Sequence, residues 1–241
     1  MIRKDKLVTD CYYHIYNRGT DKRTIFLDKQ DYYRFIHYLY EFNDDVAVTN
    51  FSYYESKYSV ASEDIGSDIH PTSKGKDRDK LVEIICFVLM GNHYHLLLKQ
   101  LKDKGISKFM LKVGTGYAMY FNQKYKRTGR LFEGTFKSIL ADRDSYIVYL
   151  SRYIHLNPAE RMESAQDEDK KKERGNVADF LSNYKWSSYL DYIGKKNFPS
   201  VIDKSFILNY FNNNPESYFK FVADGYGDDT VVPEQLFLDI C

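Results

Sequence analysis

The segment from Leu81 to Lys99 does most to limit what this chain can fold into. LVEIICFVLM, a largely apolar run rich in β-branched residues, ends at Gly91 and Asn92, and HYHLLLK follows at once. Two strands separated by so few residues pair as an antiparallel hairpin. Upstream, Cys11 to Tyr16 alternates like a strand, and turn residues Asn17 to Gly19 end it. Asp28 then reads as an N-cap, followed by Tyr32, Phe35, Ile36, Leu39 and Tyr40 at helical spacing.

Downstream, Ile106, Phe109, Met110, Val113, Tyr117, Tyr120 and Phe121 predict a helix over Gly105 to Tyr125. Gly114 and Gly116 weaken it and allow close packing. Thr135 to Ala141 reads as a fourth strand, and Asp144 caps a helix running to about Leu156. The order β, α, β, β, α, β places the chain in the α+β class, as a ferredoxin-like antiparallel sheet with helices on one face. A further helix and a mainly helical C-terminal extension follow.

Two polar stretches mark the organisation. Residues 44–80 read as an inserted loop ending in SKGKDRDK, and Glu160 to Arg174 holds six acidic and five basic residues, as a solvated linker or exposed helix does. The expected division is a main domain at 1–159 and a linker with C-terminal extension at 160–241, in which Tyr184 to Val222 folds back on the main domain. The acidic end from Asp224 reads as loop.

Composition closes off other classes. With 35 Lys and Arg against 34 Asp and Glu, and 43% hydrophobic residues, the chain reads as a soluble globular protein. No apolar run reaches eighteen residues and MIRKDKLVTD lacks a signal-peptide core, so no membrane role and a cytoplasmic location are expected. Cys11, Cys86 and Cys241 form no CxxC pair, which argues against a disulfide framework or thiolate metal site. The 23 tyrosines suit either base stacking or a tyrosine-rich core, the second being commoner.

The residues that could carry chemistry begin with His93 and His95. Alternate residues on a strand share a face, so the two imidazoles form a two-ligand metal platform, or a satisfied structural pair. A third ligand must come from elsewhere. On the helix after Asp144, Tyr146, Tyr149, Leu150, Tyr153, Ile154 and Asn157 line one face, and its last turn offers the Tyr153 phenol and the Asn157 amide. Taken alone, Tyr153 reads more readily as core, and Pro158 biases Asn157 away from helical dihedrals. His155 lies on another face, where a polar or charged surface role is expected, and His14, His37 and His70 read as structural or exposed. From Lys99 to Lys137, ten basic residues face two acidic ones. Interleaved with Tyr117, Tyr120, Phe121, Tyr125 and Phe132, they suit either a solvated helix face or phosphate tracking with base stacking.

Three segments in order, MGNHYHLLL at Met90, FNQKYKRTGRLFEGTFKS at Phe121 and YLSRYIHLNPA at Tyr149, resemble the HUH-type single-tyrosine transposases, in the branch called REP-associated tyrosine transposases. YYHIYNRG at Tyr12 and KWSSY at Lys185 extend the resemblance to about Tyr192. It implies a catalytic domain that cleaves and rejoins single-stranded DNA. Tyr153 matches the nucleophile, His93 and His95 match the HUH histidines, and Asn157 matches the third ligand of a divalent ion, Mg²⁺ or Mn²⁺. Arg18, Lys124, Lys126, Arg127, Arg130 and Lys137 are the expected DNA-binding residues. The expected partner is single-stranded DNA with hairpin or palindromic repeats, handled by a monomer or homodimer. The long insertion, and Thr135 where many members have arginine, depart from the family pattern. The competing readings are a non-catalytic hairpin-binding module, and a phosphodiesterase that uses activated water.

Overall fold

The computed structural model describes residues 6–45, 78–164 and 177–226. Most of the expected insertion, the centre of the charged linker and the acidic end lie outside them. The described chain runs β1 (Tyr12–Arg18), α1 (Lys29–Glu41), β2 (Val82–Met90), β3 (His93–Gln100), α2 (Gly105–Lys124), β4 (Lys137–Ala141) and α3 (Asp144–Ser164). After these come α4 (Val177–Leu181), α5 (Tyr189–Tyr192), α6 (Ser205–Asn209) and α7 (Pro215–Asp224). The sheet order is β2-β3-β1-β4, and every neighbouring pair is antiparallel. The crossover through α1 leaves a gap between β1 and β2 that the hairpin strand β3 fills, which is the ferredoxin-like split βαβ arrangement.

Side-chain alternation explains why the sheet is covered on both sides. Ile15, Tyr94, Leu96 and Leu98 face α1 and α2, packing with Phe35, Leu39, Phe109 and Val113. Leu97 and Ala141 face the other way, against Leu150, Tyr153 and Ile154 of α3. A register shift between Ile84 and Cys86 lets β2 serve both layers. Ile84 and Phe87 join the first core, Ile85 and Cys86 the second.

Local chemistry sets the helix positions. Asp28 caps α1 through a reciprocal capping box with Asp31. Gly116 is where α2 meets α1, since a Cβ there would sit 2.7 Å from the Phe42 ring, whereas Gly114 faces open space. Strand β1 continues through Asn17 and Arg18, two residues the sequence assigned to a turn, because both pair with β3.

The expected end of α3 near Leu156 also needs correction. The helix passes through Pro158 to Ser164, crossing the expected domain boundary at residue 159. Proline removes the backbone donor that the Ile154 carbonyl would otherwise receive. Burial on both sides of Leu156, Asn157 and Ala159 offsets that loss.

The segment after α4 packs against the sheet edge. Leu89 N–H donates to Trp186 O at 2.9 Å and Ser188 N–H to Phe87 O at 3.0 Å, so Trp186 to Ser188 covers the open edge of β2. The extension then covers the outer side of α3. His155 therefore sits fully buried, between the Tyr218 hydroxyl at 2.7 Å and the Ser188 hydroxyl at 2.8 Å. This overturns its surface reading, and burial pushes its pKa down to about 3. Among the described residues no helix is long and apolar enough to cross a membrane.

Candidate active site

On the α3 side of the sheet the β1–β3 register sets Tyr16 opposite His95 and Arg18 opposite His93. Lys137 of β4 is opposite Tyr16. His93 and His95 do share this face, with ring centroids 5.0 Å apart. His95 is 5% exposed and His93 only partly covered. Burial, then the neighbouring His93 and His14, hold the His95 pKa well below the ordinary histidine value, so the ring is neutral near pH 7.

Each histidine has its Nδ1 engaged. His93 Nδ1 lies 2.7 Å from Asn92 Oδ1, and the Asn92 amide is oriented by donating to Lys22 O at 3.1 Å. His95 Nδ1 lies 2.8 Å from His14 Nε2. Nε2 is therefore the nitrogen each ring would turn to a metal. Tyr16 stacks on His95 at 5.8 Å and on His14 at 5.0 Å, bracing both rings.

Helix α3 brings Tyr153 onto this pair. Its ring stands edge-on to His95 at 6.0 Å and to His14 at 6.1 Å, and it is 4% exposed. Four residues on, Asn157 is buried and its amide donates to Tyr153 O at 3.3 Å, so the side chain folds back along its own helix. Among the described residues no cluster of three His, Cys, Asp or Glu side chains stands ready for a metal. The donor set on this face is thus the His93 imidazole and the neutral His95 imidazole, which suits an ion that takes its remaining ligands from water and phosphate.

Residues 51–157 match the family model described as "Transposase IS200 like", a span of under half the chain that takes in both histidines and Tyr153. The matched segment is similar to the IS200-like transposases. No curated protein matches the chain. One solved structure similar to it is titled "Structure of the REP associates tyrosine transposase bound to a REP hairpin". It is 11% identical, covers 85% of this chain and 93% of its own, and has a TM-score of 0.48.

Around the two histidines the expected DNA-binding residues separate. The loop after α2 is tied to the end of β1, with Thr20 N–H donating to Leu131 O at 2.9 Å, Glu133 N–H to Arg18 O at 3.1 Å and Asn17 Nδ2 to Gly134 O at 3.1 Å. That places the loop carrying Lys126, Arg127 and Arg130 at the His93 end of the sheet. Lys126, Arg130 and Lys137 are exposed there. Arg127 packs over Phe121, and Arg18 pairs with Glu133 at 2.6 Å.

Lys124 is different. Its ammonium bonds Asp31 at 2.7 Å and both Asp28 oxygens at 2.8 Å, on the α1 side of the molecule. Burial works against its charge, yet these hydrogen bonds leave its pKa raised. It holds α2 to α1, and its charge is already matched. Much of the basic excess from Lys99 to Lys137 is met similarly, Lys99 by Asp10, Lys102 by Asp79 and Lys108 by Asp45. The aromatics between them belong to the interior. Tyr117 and Phe121 are core residues, and Tyr120 and Tyr125 donate to Asp31.

His14 is the site residue that sequence reasoning passed over. It alternates with Tyr16 in YYHIY, which marked a common face, but only strand pairing sets that face beside His95.

Proposed function

We propose that this chain is a transposase or transposase-like nuclease that cleaves and rejoins single-stranded, hairpin-associated DNA through Tyr153. The observation that carries the reading is the placement of the Tyr153 ring edge-on to His95, on a sheet face where both histidines have Nδ1 engaged. The family match over residues 51–157 supports it.

In the proposed reaction the Tyr153 oxygen attacks the scissile phosphorus and gives up its phenolic proton. The bond from phosphorus to the 3′-oxygen breaks, and that oxygen takes a proton. One product strand ends in a 3′-hydroxyl and the other is held as a 5′-phosphotyrosine. A free 3′-hydroxyl then reverses the step on the stored phosphodiester, so rejoining needs no ATP.

A divalent ion, Mg²⁺ or Mn²⁺, held by His93 and His95 with Asn157 as third protein ligand, would supply charge neutralisation at the phosphate. Imidazole donors favour Mn²⁺ intrinsically. Tyrosine has a reference pKa of about 10, so the phenol needs this help at neutral pH. Tyr153 is 4% exposed, so the strand must open its cover to reach it. Arg18, Lys126, Arg127, Arg130 and Lys137, around the loop and β4, would track the backbone of the strand.

The test incubates the full chain with end-labelled single-stranded hairpins and Mn²⁺. A denaturation-resistant adduct carrying the 3′-side fragment, lost on chelation and in Tyr153→Phe, is the expected result. Free cleaved product in Tyr153→Phe would point to water as the nucleophile, and binding with no cleavage to a hairpin-binding module.

A further inference from the structure

We propose that His14 is a positioning residue that fixes which nitrogen of His95 faces the metal. The inference rests on the reading of His93 and His95 as metal ligands. His14 is fully buried on β1, and its Nε2 lies 2.8 Å from His95 Nδ1, with the two rings only 14° from parallel.

One proton lies between those two nitrogens, and its side decides what His95 can do. When it sits on His95 Nδ1, the His95 Nε2 lone pair is available to a cation and His14 Nε2 is the acceptor. When it sits on His14 Nε2, neutral His95 must carry its own proton on Nε2 and cannot ligate.

His93 faces no such choice, because Asn92 Oδ1 can only accept and holds the proton on His93 Nδ1. The two histidines thus have unequal support. His93 rests on an amide from the adjacent residue, His95 on an imidazole from another strand that is able to donate or accept. His14 therefore sets the readiness of His95, and Tyr16, stacked on both rings, keeps them coplanar enough to share the proton.

Two substitutions separate positioning from packing. His14→Gln keeps an acceptor, its amide oxygen, for the His95 Nδ1 proton, and His14→Leu fills similar space with none. Mn²⁺ binding to the full chain, followed by calorimetry without DNA, should weaken roughly 10–100-fold in His14→Leu and stay close to wild type in His14→Gln. ¹⁵N NMR of the metal-free wild type should show His95 protonated on Nδ1. Wild-type Mn²⁺ affinity in His14→Leu, or equal losses in both variants, would overturn the role of His14 while leaving the metal site standing. No Mn²⁺ binding by the wild type would overturn the metal reading itself. A His95 proton on Nε2 would overturn the His14 inference whatever the metal result, and needs no variant to fold.

Discussion

Replacing Lys124 with methionine tests whether the basic residues near the site have been sorted correctly. Asp31 is fully buried, and the Lys124 ammonium is the cation bonded to it. Removing one partner of a buried pair costs about 3–5 kcal/mol, because an uncompensated charge stays behind. Asp31 would keep hydrogen bonds from the Tyr120 and Tyr125 hydroxyls and from Leu27 N–H, which places the cost at the low end, about 3 kcal/mol. The bond to Asp28, whose side chain is 48% exposed, adds little. For a chain of this size the melting temperature should fall by about 6–12 °C. Urea denaturation gives the energy directly, and the salt dependence of hairpin binding, measured where the variant is folded, should be unchanged. A cost under about 1 kcal/mol, with a shallower salt slope, would refute the assignment and return Lys124 to the DNA surface.

Three further outcomes follow from the same geometry. Replacing Lys126 or Arg130 with alanine should leave stability intact and reduce the slope of log affinity against log salt by about 0.7 each on single-stranded DNA, measured by fluorescence anisotropy. His155, with a pKa lowered to about 3, stays neutral in the folded chain while the unfolded chain takes up a proton below about 6.5, so its contribution is intact above that pH and erodes below it. At pH 5 the loss relative to neutral-to-alkaline pH is about 2 kcal/mol, and urea titrations should show that part of the acid slope missing in His155→Gln. Gly114→Ala should stabilise α2 by about 0.5–1 kcal/mol, whereas Gly116→Ala should lose that gain against the Phe42 ring, as thermal melts would show.

The parts of the fold legible in the sequence are those written in local periodicity. The β2–β3 hairpin, the Asp28 cap and the apolar repeat of α2 each follow from neighbouring residues, and their order alone suggested the ferredoxin-like sheet. His93 and His95 were legible for the same reason, since alternation on one strand fixes a common face. What stayed hidden depends on partners remote in sequence. His14 has meaning only through its pairing with β3, and the basic excess after Lys99 looked unopposed because Asp10, Asp28, Asp31, Asp45 and Asp79 lie elsewhere along the chain. His155 looked like a surface residue on α3, but the C-terminal extension buries it, with the Tyr218 and Ser188 hydroxyls supplying the hydrogen bonds a buried polar group requires.

In the proposed reaction Tyr153 becomes covalently joined to DNA. Mass spectrometry of the proteolysed chain after reaction with a single-stranded hairpin and Mn²⁺ tests it most directly. The expected product is the peptide containing Tyr153 carrying the 3′-side nucleotides through a 5′-phosphate on the phenolic oxygen. Cleaved DNA accumulating with that peptide unmodified, or the nucleotides attached to another residue, would contradict it.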